Sequence, residues 1–237
     1  MKKVTKMVNF SILSIKQAEI STEPNRQSRR LKDRNYSKSK ITMATQKSIK
    51  GTQTEKNLVT AYAAESMAYT RYTYYAQQAE KELYYPVAKV FQDTAANELH
   101  HSKIYFKDLE GGQVNIDLTV DAGVIGTTLE NLTIAASEEQ SEGVDLYIAF
   151  AKTADDEGFP DIAAHFRAIA EIEARHEKRF RKLIDQVKNG TVWKRDEPIQ
   201  WQCLVCGYIY FGTEPPTKCP ACDHPYQHYI PLDMNLE

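Results

Sequence analysis

The sequence predicts an all-α protein: a four-helix bundle with one long crossover, followed by a small second domain. Four long segments each carry apolar residues at alternating steps of three and four, the spacing of one helix face. Short turns join the first two and the last two segments, and a longer connection, residues 113–126, links the pairs. The fourth helix runs from Pro160 to Asn189-Gly190. Beyond it the helical period disappears, and residues 191–237 hold six of the nine prolines and all four cysteines.

The first two helices have typical helix ends. The first begins near Thr52, where T-Q-T-E provides an N-cap and, three residues later, a glutamate. The second opens at Pro86 and stops at Gly111-Gly112, because proline favours the first turn of a helix and glycine its end. One charge, Glu65, interrupts the core stripe of the first helix. That predicted stripe is Leu58, Tyr62, Glu65, Tyr69, Tyr72 and Ala76.

The third helix is predicted as one continuous segment. It begins at Thr127, where Glu130 completes a capping box, and it ends by Gly158. Two carboxylates three residues apart interrupt its stripe, and Gly143 in its middle costs about 1 kcal/mol relative to alanine. The predicted stripe is Leu132, Ala135, Glu139, Glu142, Leu146 and Ala149.

Two Glu-x-x-His pairs, Glu98 with His101 and Glu173 with His176, lie in the second and fourth helices. Residues three apart share a helix face, so each pair offers a carboxylate and an imidazole to the same point. Both pairs fill gaps in an apolar series that faces the core. An unpaired buried carboxylate is costly or takes up a proton, and a bound metal ion is the simplest compensating charge. The two series are Val87, Phe91, Thr94 and Tyr105, and Ile162, Phe166, Ile169, Phe180, Leu183 and Val187.

The spacing of the glutamates indicates an internal repeat. Glu65 lies 33 residues before Glu98, and Glu139 lies 34 before Glu173, so the two helix pairs are expected to face each other about a pseudo-twofold axis. One Glu from each of two helices, with one Glu-x-x-His from each of the others, is the ligand set of di-iron and di-manganese carboxylate bundles. Glu142 adds a carboxylate on the same face. Oxygen-rich ligation with one imidazole per ion suits iron or manganese better than zinc.

Several residues near this site have alternative interpretations. Glu138 could replace Glu139, because Glu138 and Glu142 are also one turn apart. His100 points off the stripe and is expected to be solvated. Tyrosines on the first helix are more often core than functional, but Tyr72 could hydrogen-bond a ligating carboxylate two turns away.

Two C-x-x-C pairs, Cys203 with Cys206 and Cys219 with Cys222, are separated by twelve residues. No cysteine is left over, so the pattern indicates a metal site in a reduced compartment rather than a disulfide framework. Four sulfurs fit zinc or iron, and a structural zinc ribbon is the alternative to a redox-active iron site. A domain of about 45 residues rarely holds a core unaided, so the metal is expected to hold it together.

Charge is distributed unevenly along the chain. The net charge is −2, but residues 1–42 carry eleven Lys and Arg against three Asp and Glu, which leaves 19 against 29 in the remainder. An acidic body argues against a nucleic-acid partner, and no run of about 18 apolar residues suggests a membrane span. We interpret residues 1–42 as a disordered upstream extension of a reading frame that starts at Met43. The alternatives are an appended disordered segment of the protein and an organellar transit peptide, and without a transit peptide the protein is expected in the cytoplasm.

Several segments together resemble the rubrerythrin family: T-E-K-N followed by A-A-E-S-M-A, the two Glu-x-x-His pairs, Glu-x-x-Glu in the third helix, H-E-K-R-F, and C-x-x-C-G-Y with C-P-x-C. The resemblance runs from about Ser48 to the C-terminus, and residues 1–42 fall outside it. It implies a ferritin-like, non-haem di-iron four-helix bundle over residues 48–190 and a rubredoxin-like β domain with one iron over residues 198–237. It also implies reduction of hydrogen peroxide to water in oxidative-stress defence.

The resemblance also implies roles for individual residues. His101 matches the ligand that binds one iron in the reduced state and gives way to Glu142 on oxidation. Tyr72 and Tyr147 match tyrosines that support the ligands. The family more often has a larger residue at the position of Gly143, and a looser helix there would affect the ligand exchange. The ligands of the two irons fall on Glu65, Glu98, Glu139, Glu142, Glu173 and His176, and those of the third iron on Cys203, Cys206, Cys219 and Cys222.

The electrons are expected to come from another protein. A four-thiolate iron changes by one electron, so it relays twice for each peroxide. The sequence has no G-x-G-x-x-G or other nucleotide loop, so NAD(P)H is linked only through a partner, a rubredoxin or a flavoprotein reductase. The resemblance also implies a head-to-tail homodimer that brings the two kinds of iron site together. The alternatives are an iron-storage protein with a structural zinc tail and a di-iron oxidase or oxygenase, which would need an apolar substrate channel.

Overall fold

The computed structural model describes residues 47–232, apart from the side chain of Glu142. The interpretations of residues 1–42 lie outside the described residues, and so do residues 233–237.

Four helical rods form the body of the protein, as predicted. The third rod is not a uniform α-helix, because a π-helix of eight residues lies in its middle. Backbone angles at both junctions of the π-helix are α-helical, so the rod continues without a break. The elements are α1 (Gln53–Lys81), α2 (Tyr85–Asp108), α3 (Thr128–Glu138), the π-helix (Glu139–Leu146), α4 (Tyr147–Asp156) and α5 (Pro160–Lys188).

The two predicted N-caps are both present. Thr127 accepts from the Glu130 N–H, and Glu130 accepts from the Thr127 N–H at 2.8 Å, so the capping box of α3 is complete. Thr52 accepts from the Glu55 N–H at 3.1 Å, but the Glu55 carboxylate instead accepts from the N–H of Gly51. The start of α1 therefore has only half of the box.

A long connection, residues 109–127, joins α2 to α3 and contains no helix or strand. We call it the crossover. Where it ends, the Thr128 N–H donates to the two carboxylate oxygens of Glu82 at 3.2 and 3.1 Å. This contact ties the start of α3 to the residue that follows α1.

Two apolar clusters lie at opposite ends of the bundle, with a polar layer between them. On α1, Leu58 belongs to one cluster and Tyr72 to the other, and Glu65 falls between them. Helix α2 runs in the opposite direction, so it meets the two clusters in the reverse order. Phe91 and Tyr105 lie in different clusters, on either side of the Glu-x-x-His pair. The polar layer is therefore sealed above and below by apolar side chains.

Part of the predicted core stripe of α1 is wrong. Tyr62 and Tyr69 are 37% and 38% exposed, whereas Ala61 and Tyr75 are buried. Each residue turns the helix by 100°, so the buried face of α1 is rotated slightly relative to the face that the predicted stripe defines. A tyrosine suits either position, since one end of its side chain is apolar and the other is polar.

The stripe of the third rod is wrong at its C-terminal end, and the π-helix is the reason. A π-helix adds a residue to a turn, which rotates every later side chain relative to a regular α-helix. Ala149 is consequently exposed, while Tyr147, Ala151 and Ala154 are buried.

The small C-terminal region forms a three-stranded antiparallel sheet. Strand β1 (Ile199–Cys203) lies between β2 (Ile209–Gly212) and β3 (Tyr229–Pro231). Trp201 is fully buried at its centre and packs with Cys203, Cys219 and Tyr229. Two aromatic stacks join the sheet region to the start of α2: Tyr85 with His228, and Tyr84 with Trp193.

None of the helices within residues 47–232 combines the length and the apolarity that crossing a membrane requires.

Candidate metal centres

The polar layer of the bundle consists of four carboxylates and two imidazoles, supplied by all four rods. Each of the six side chains is at most 5% exposed. Their sequence positions explain this burial, because each replaces an apolar residue on the core-facing side of its rod. They are Glu65 from α1, Glu98 and His101 from α2, Glu139 from the π-helix, and Glu173 and His176 from α5.

These six residues form two overlapping groups of four. In one group, Glu65 and His101 join Glu98 and Glu173; in the other, Glu139 and His176 join the same two glutamates. Within each group the potential ligand atoms all lie within 4.8 Å of one another. Two cation sites that share two carboxylates are what a pair of metal ions bridged by glutamates would require.

The two groups are related by a pseudo-twofold repeat in the sequence. Glu98 and Glu173 are 75 residues apart, as are His101 and His176, and as are Tyr72 and Tyr147. Glu65 and Glu139, however, are 74 apart. The offset changes between Glu139, the first residue of the π-helix, and Tyr147, the residue that follows it. The extra residue of the π-helix therefore accounts for the unequal Glu-to-Glu spacings of 33 and 34.

Distances around the two imidazoles repeat this symmetry. His101 Nδ1 lies 2.8 Å from Glu98 Oε2, 2.8 Å from Glu173 Oε1 and 3.7 Å from Glu65 Oε2. His176 Nδ1 lies 2.7 Å from Glu173 Oε2, 3.2 Å from Glu98 Oε1 and 3.7 Å from Glu139 Oε1. Each imidazole thus faces the two shared glutamates and the one glutamate that belongs to its group alone.

Two tyrosines hold the outer glutamates across the axis. The Tyr72 hydroxyl donates to Glu139 Oε1 at 2.8 Å, and the Tyr147 hydroxyl donates to Glu65 Oε1 at 2.7 Å. Each tyrosine therefore orients a carboxylate from the other half of the repeat. Both hydroxyls are buried, which makes these hydrogen bonds the means of satisfying them.

Asn97 breaks the symmetry, and its contact with His176 was not predicted from the sequence. Its Oδ1 lies 3.2 Å from His176 Nε2, the nitrogen that faces away from the carboxylates. The corresponding position 75 residues later is Ile172, whose side chain has no group that could bond His101 in the same way. The only sequence signal for Asn97 is its place next to Glu98 on α2.

The geometry of the polar layer fits bound cations better than internal hydrogen bonds. Glu98 Oε1, both oxygens of Glu173 and Nδ1 of His176 are buried, yet their short contacts lack hydrogen-bond geometry within the described chain. Buried polar atoms without a partner are rare and call for an explanation. Metal ions would engage these atoms, and carboxylate oxygens with one imidazole per ion suit iron.

The pKa values of these groups show that the buried carboxylates need compensating positive charge. Burial raises the pKa of Glu65 to about 8, and burial together with the charges of Glu173 and Glu98 raises that of Glu139 well above its usual value. Burial opposes the charge on His101, but the surrounding carboxylates outweigh it and raise its pKa to about 12. With protein groups alone, protons must supply the compensating charge that divalent ions would otherwise bring.

The structure explains the glycine at position 143. A Cβ at this position would lie 2.6 Å from both Cβ and Cγ of Glu173. Glycine therefore lets the π-helix approach the shared glutamate closely. The neighbouring residue, Glu142, has its backbone in the π-helix, but its side chain lies outside the described structure, so its predicted ligand role stays a prediction.

The two alternatives considered for this site occupy other environments. Glu138 forms an ion pair with Arg71, and it does not belong to either group of four. His100 is exposed, as expected from its position off the stripe.

The four cysteines form the second candidate centre, and their sulfurs all lie within 4.8 Å of one another. They are free thiols, with Cys203 Sγ 3.7 Å from Cys222 Sγ and Cys206 Sγ 3.6 Å from Cys219 Sγ. A tetrahedral ion with metal–sulfur bonds of about 2.3 Å requires sulfur separations of about 3.8 Å, so the cluster fits one such ion.

Comparisons with known proteins agree with both centres. A family model described as Rubrerythrin matches residues 56–128 and again residues 130–202. A model described as Rubrerythrin, rubredoxin-like domain, matches residues 201–229. The rubrerythrin of Porphyromonas gingivalis is 49% identical over 189 residues, which cover 80% of this chain and 94% of the relative.

A second relative and a solved structure extend the comparison. The rubrerythrin of Nitratidesulfovibrio vulgaris is 42% identical over 189 residues, covering 80% of this chain and 99% of the relative. A nigerythrin in its fully reduced, all-ferrous state has a TM-score of 0.52 at 30% sequence identity, over 80% of this chain and 91% of that chain.

The predicted fold class, a ferritin-like four-helix bundle followed by a rubredoxin-like domain, is thereby confirmed. The cofactors are two iron ions in the bundle and one iron on the four cysteines. The chain therefore belongs to the rubrerythrin family of iron-dependent oxidoreductases, which act in oxidative-stress defence.

Proposed function

We propose that this protein is a non-haem di-iron peroxidase that reduces hydrogen peroxide to two waters, consuming two protons and two electrons. The observation that carries the proposal is the presence, on one chain, of a buried layer suited to two ions and a four-cysteine cluster suited to one. The polar layer would hold the iron that provides the two electrons for cleavage of the O–O bond, and the four cysteines would hold the iron that returns them one at a time.

The proposal assigns ligand roles from the geometry of the polar layer. The shared carboxylates, Glu98 and Glu173, would help to hold both irons. Glu65 with His101 would complete one ion, and Glu139 with His176 would complete the other. In line with the family resemblance, Glu142 would exchange with His101 on oxidation. The four sulfurs of Cys203, Cys206, Cys219 and Cys222 would hold the third iron.

A cavity of about 100 Å³ leads to the polar layer and would admit the peroxide. Its inner wall includes Glu65, Glu98, Glu139 and Glu173. By a comparable measure a single water needs about 10–15 Å³, so a molecule as small as hydrogen peroxide fits. The small size argues against the oxidase or oxygenase alternative acting on a large organic substrate.

The two tyrosines would position the outer glutamates. Tyr72 and Tyr147 each hold a proton on a buried hydroxyl that already donates to an outer glutamate. Burial, followed by the charges of nearby glutamates, raises the pKa of both phenols well above its usual value, so each stays protonated at neutral pH. They are therefore placed to orient Glu139 and Glu65 as hydrogen-bond donors.

An external redox protein would supply the electrons. Cys206 is exposed, and the adjacent Leu204 and Val205 are 37% and 47% exposed, which offers an apolar contact surface beside the sulfurs. The donor would be a rubredoxin or a flavoprotein reductase linked to NAD(P)H. A head-to-tail homodimer would bring the cysteine-bound iron of one chain to the bundle of the other. Four free thiols fit a reducing compartment, and we propose the cytoplasm.

Metal analysis with visible absorption, followed by stopped-flow kinetics, tests the proposal. We expect about three irons per chain, two in the bundle and one on the thiolates, and a thiolate-to-iron band that bleaches on reduction. The reduced protein should reoxidise faster with peroxide than with air. Faster reaction with air would defeat the peroxidase assignment, and zinc on the cysteines with iron in the bundle would favour the iron-storage alternative.

A further inference from the structure

The cavity that leads to the polar layer is covered by the crossover. Its inner wall is formed by the glutamates of the metal site, and its outer wall includes residues 118–121 of the crossover. Leu118 and Val120 are themselves 40% and 44% exposed, so this segment has the cavity on one side and solvent on the other. A larger molecule could enter on this side only if the crossover moved.

One side chain, Arg71 of α1, ties the crossover to the helical rods. Arg71 Nη1 donates to Glu138 Oε1, and Arg71 Nη2 donates to the carbonyl oxygen of Asp121 at 3.0 Å. The side chains of the ion pair are only 13% and 14% exposed, so water screens it weakly. A Cβ on Gly123 would lie 3.3 Å from Arg71 Nε, so the crossover backbone packs directly on this side chain.

The ion pair stands next to the metal site in the sequence. Arg71 precedes Tyr72 and Glu138 precedes Glu139, so the ion pair and the Tyr72–Glu139 hydrogen bond join the same two rods side by side. The pseudo-twofold counterparts of Arg71 and Glu138 are Leu146 and Ala64. All four residues line the cavity. One wall, which contacts the crossover, therefore carries the charged pair Arg71 and Glu138, and the other carries the apolar residues Ala64 and Leu146.

We infer that the Arg71–Glu138 pair is a latch that holds the crossover over the cavity and makes the metal site selective for hydrogen peroxide over bulky organic hydroperoxides. The latch fixes a substrate-restricting wall, and neither residue touches the reacting atoms. The selectivity rests on the proposed peroxidase function, but the closure of the crossover does not.

Three variants of the iron-loaded protein test the latch. Arg71→Met removes both contacts to Glu138 and Asp121, and Glu138→Gln is the milder change that removes one charge. The double variant R71M/E138Q tests whether the two residues act as a unit. Arg167→Met is the matched control, since Arg167 pairs with Asp155 on exposed surfaces of α5 and α4.

Two readouts do not depend on catalysis: amide hydrogen exchange in residues 118–124, and the rate at which a ferrous chelator removes iron from the reduced protein. We expect R71M to raise both rates by about tenfold, because a charge-assisted contact no longer opposes local opening. E138Q should have a smaller effect in the same direction, and the double variant should show no more than R71M alone. The control should match the unsubstituted protein.

A third readout compares stopped-flow reoxidation by hydrogen peroxide and by cumene hydroperoxide. The rate ratio should shift towards cumene hydroperoxide by about tenfold in R71M. Unchanged exchange and chelation in R71M and E138Q would overturn the latch, and faster exchange with an unchanged ratio would overturn its role in selectivity. If the unsubstituted protein does not react with peroxide at all, the proposed function fails, while exchange and chelation still decide whether the crossover is latched.

Discussion

Replacing Gly143 with alanine should strain the metal site of the bundle. The new Cβ would lie 2.6 Å from Cβ and Cγ of Glu173, closer than carbon atoms can approach, and 3.4 Å from Glu139 Oε2. The Glu173 atoms in question are next to its backbone, so rotation of the side chain end cannot relieve the contact. Overpacking of this kind costs about 1–3 kcal/mol, while alanine gains back about 1 kcal/mol of helix propensity.

The free energy of unfolding of G143A should therefore fall by about 1–2 kcal/mol. We take the upper part of the overpacking range, because Glu173 has little freedom to move away from the new methyl group. For a protein of this size this loss corresponds to a fall of roughly 2–8 °C in the unfolding temperature, measured by calorimetry. Iron should be lost from both positions of the bundle, because both groups of four share Glu173.

Ser141→Ala provides the matched control for G143A. Ser141 is exposed in the same π-helix, and its substitution should change stability by less than about 0.5 kcal/mol. If G143A unfolds at the same temperature as the unsubstituted protein and keeps its full iron content, the close approach of the π-helix to Glu173 does not constrain the site.

Three further predictions concern the same layer. Glu173→Ala should abolish iron binding in the bundle, whereas Glu65→Ala should remove about one iron per chain, because Glu173 belongs to both groups and Glu65 to one; equal losses by metal analysis would contradict the shared assignment. Iron binding to the metal-free protein should tighten as pH rises from 6 to 8, because the pKa of Glu65 is about 8 and its proton must leave before the oxygen can bind. Calorimetric titration in two buffers of different ionisation enthalpy would detect that proton, and a pH-independent affinity would exclude its release. Asn97→Leu should weaken metal binding by about 10–100-fold, because His176 Nε2 loses the group that orients it. The control is Gln140→Leu, because Gln140 is exposed, whereas Asn57 is buried and its replacement would disturb the fold.

The ligand positions could be predicted from sequence because each breaks a periodic apolar pattern. A charge at a core position has few physical explanations, and Glu98, His101, Glu173 and His176 break two patterns in the same way. The cysteine cluster was equally accessible, since two C-x-x-C pairs fix the sulfurs locally. The structure places all of these side chains in two compact clusters.

Other features could not be predicted because they depend on how the rods pack. The π-helix was visible only as a difference of one residue between two Glu-to-Glu spacings, and a single sequence does not show where an extra residue lies. The contacts of Arg71 with Glu138 and of Asn97 with His176 join residues that are 67 and 79 positions apart. Neither breaks a periodic pattern, so their partners follow from tertiary structure alone.

Departures from the pseudo-twofold repeat imply that the two ions of the bundle are not equivalent. A symmetric layer would give each ion the same surroundings. The distances from the two imidazoles to the glutamates are nearly the same in both groups. Around this layer, however, His176 Nε2 lies 3.2 Å from Asn97 Oδ1. The sequence counterpart of Asn97 in the other half of the repeat is Ile172, whose side chain cannot hydrogen-bond an imidazole. The π-helix, which carries Glu142, occurs in only one half of the repeat within the described chain. The Asn97 contact therefore favours His176 as the imidazole that would stay on its ion, which is consistent with the proposal that His101 would be the one to leave.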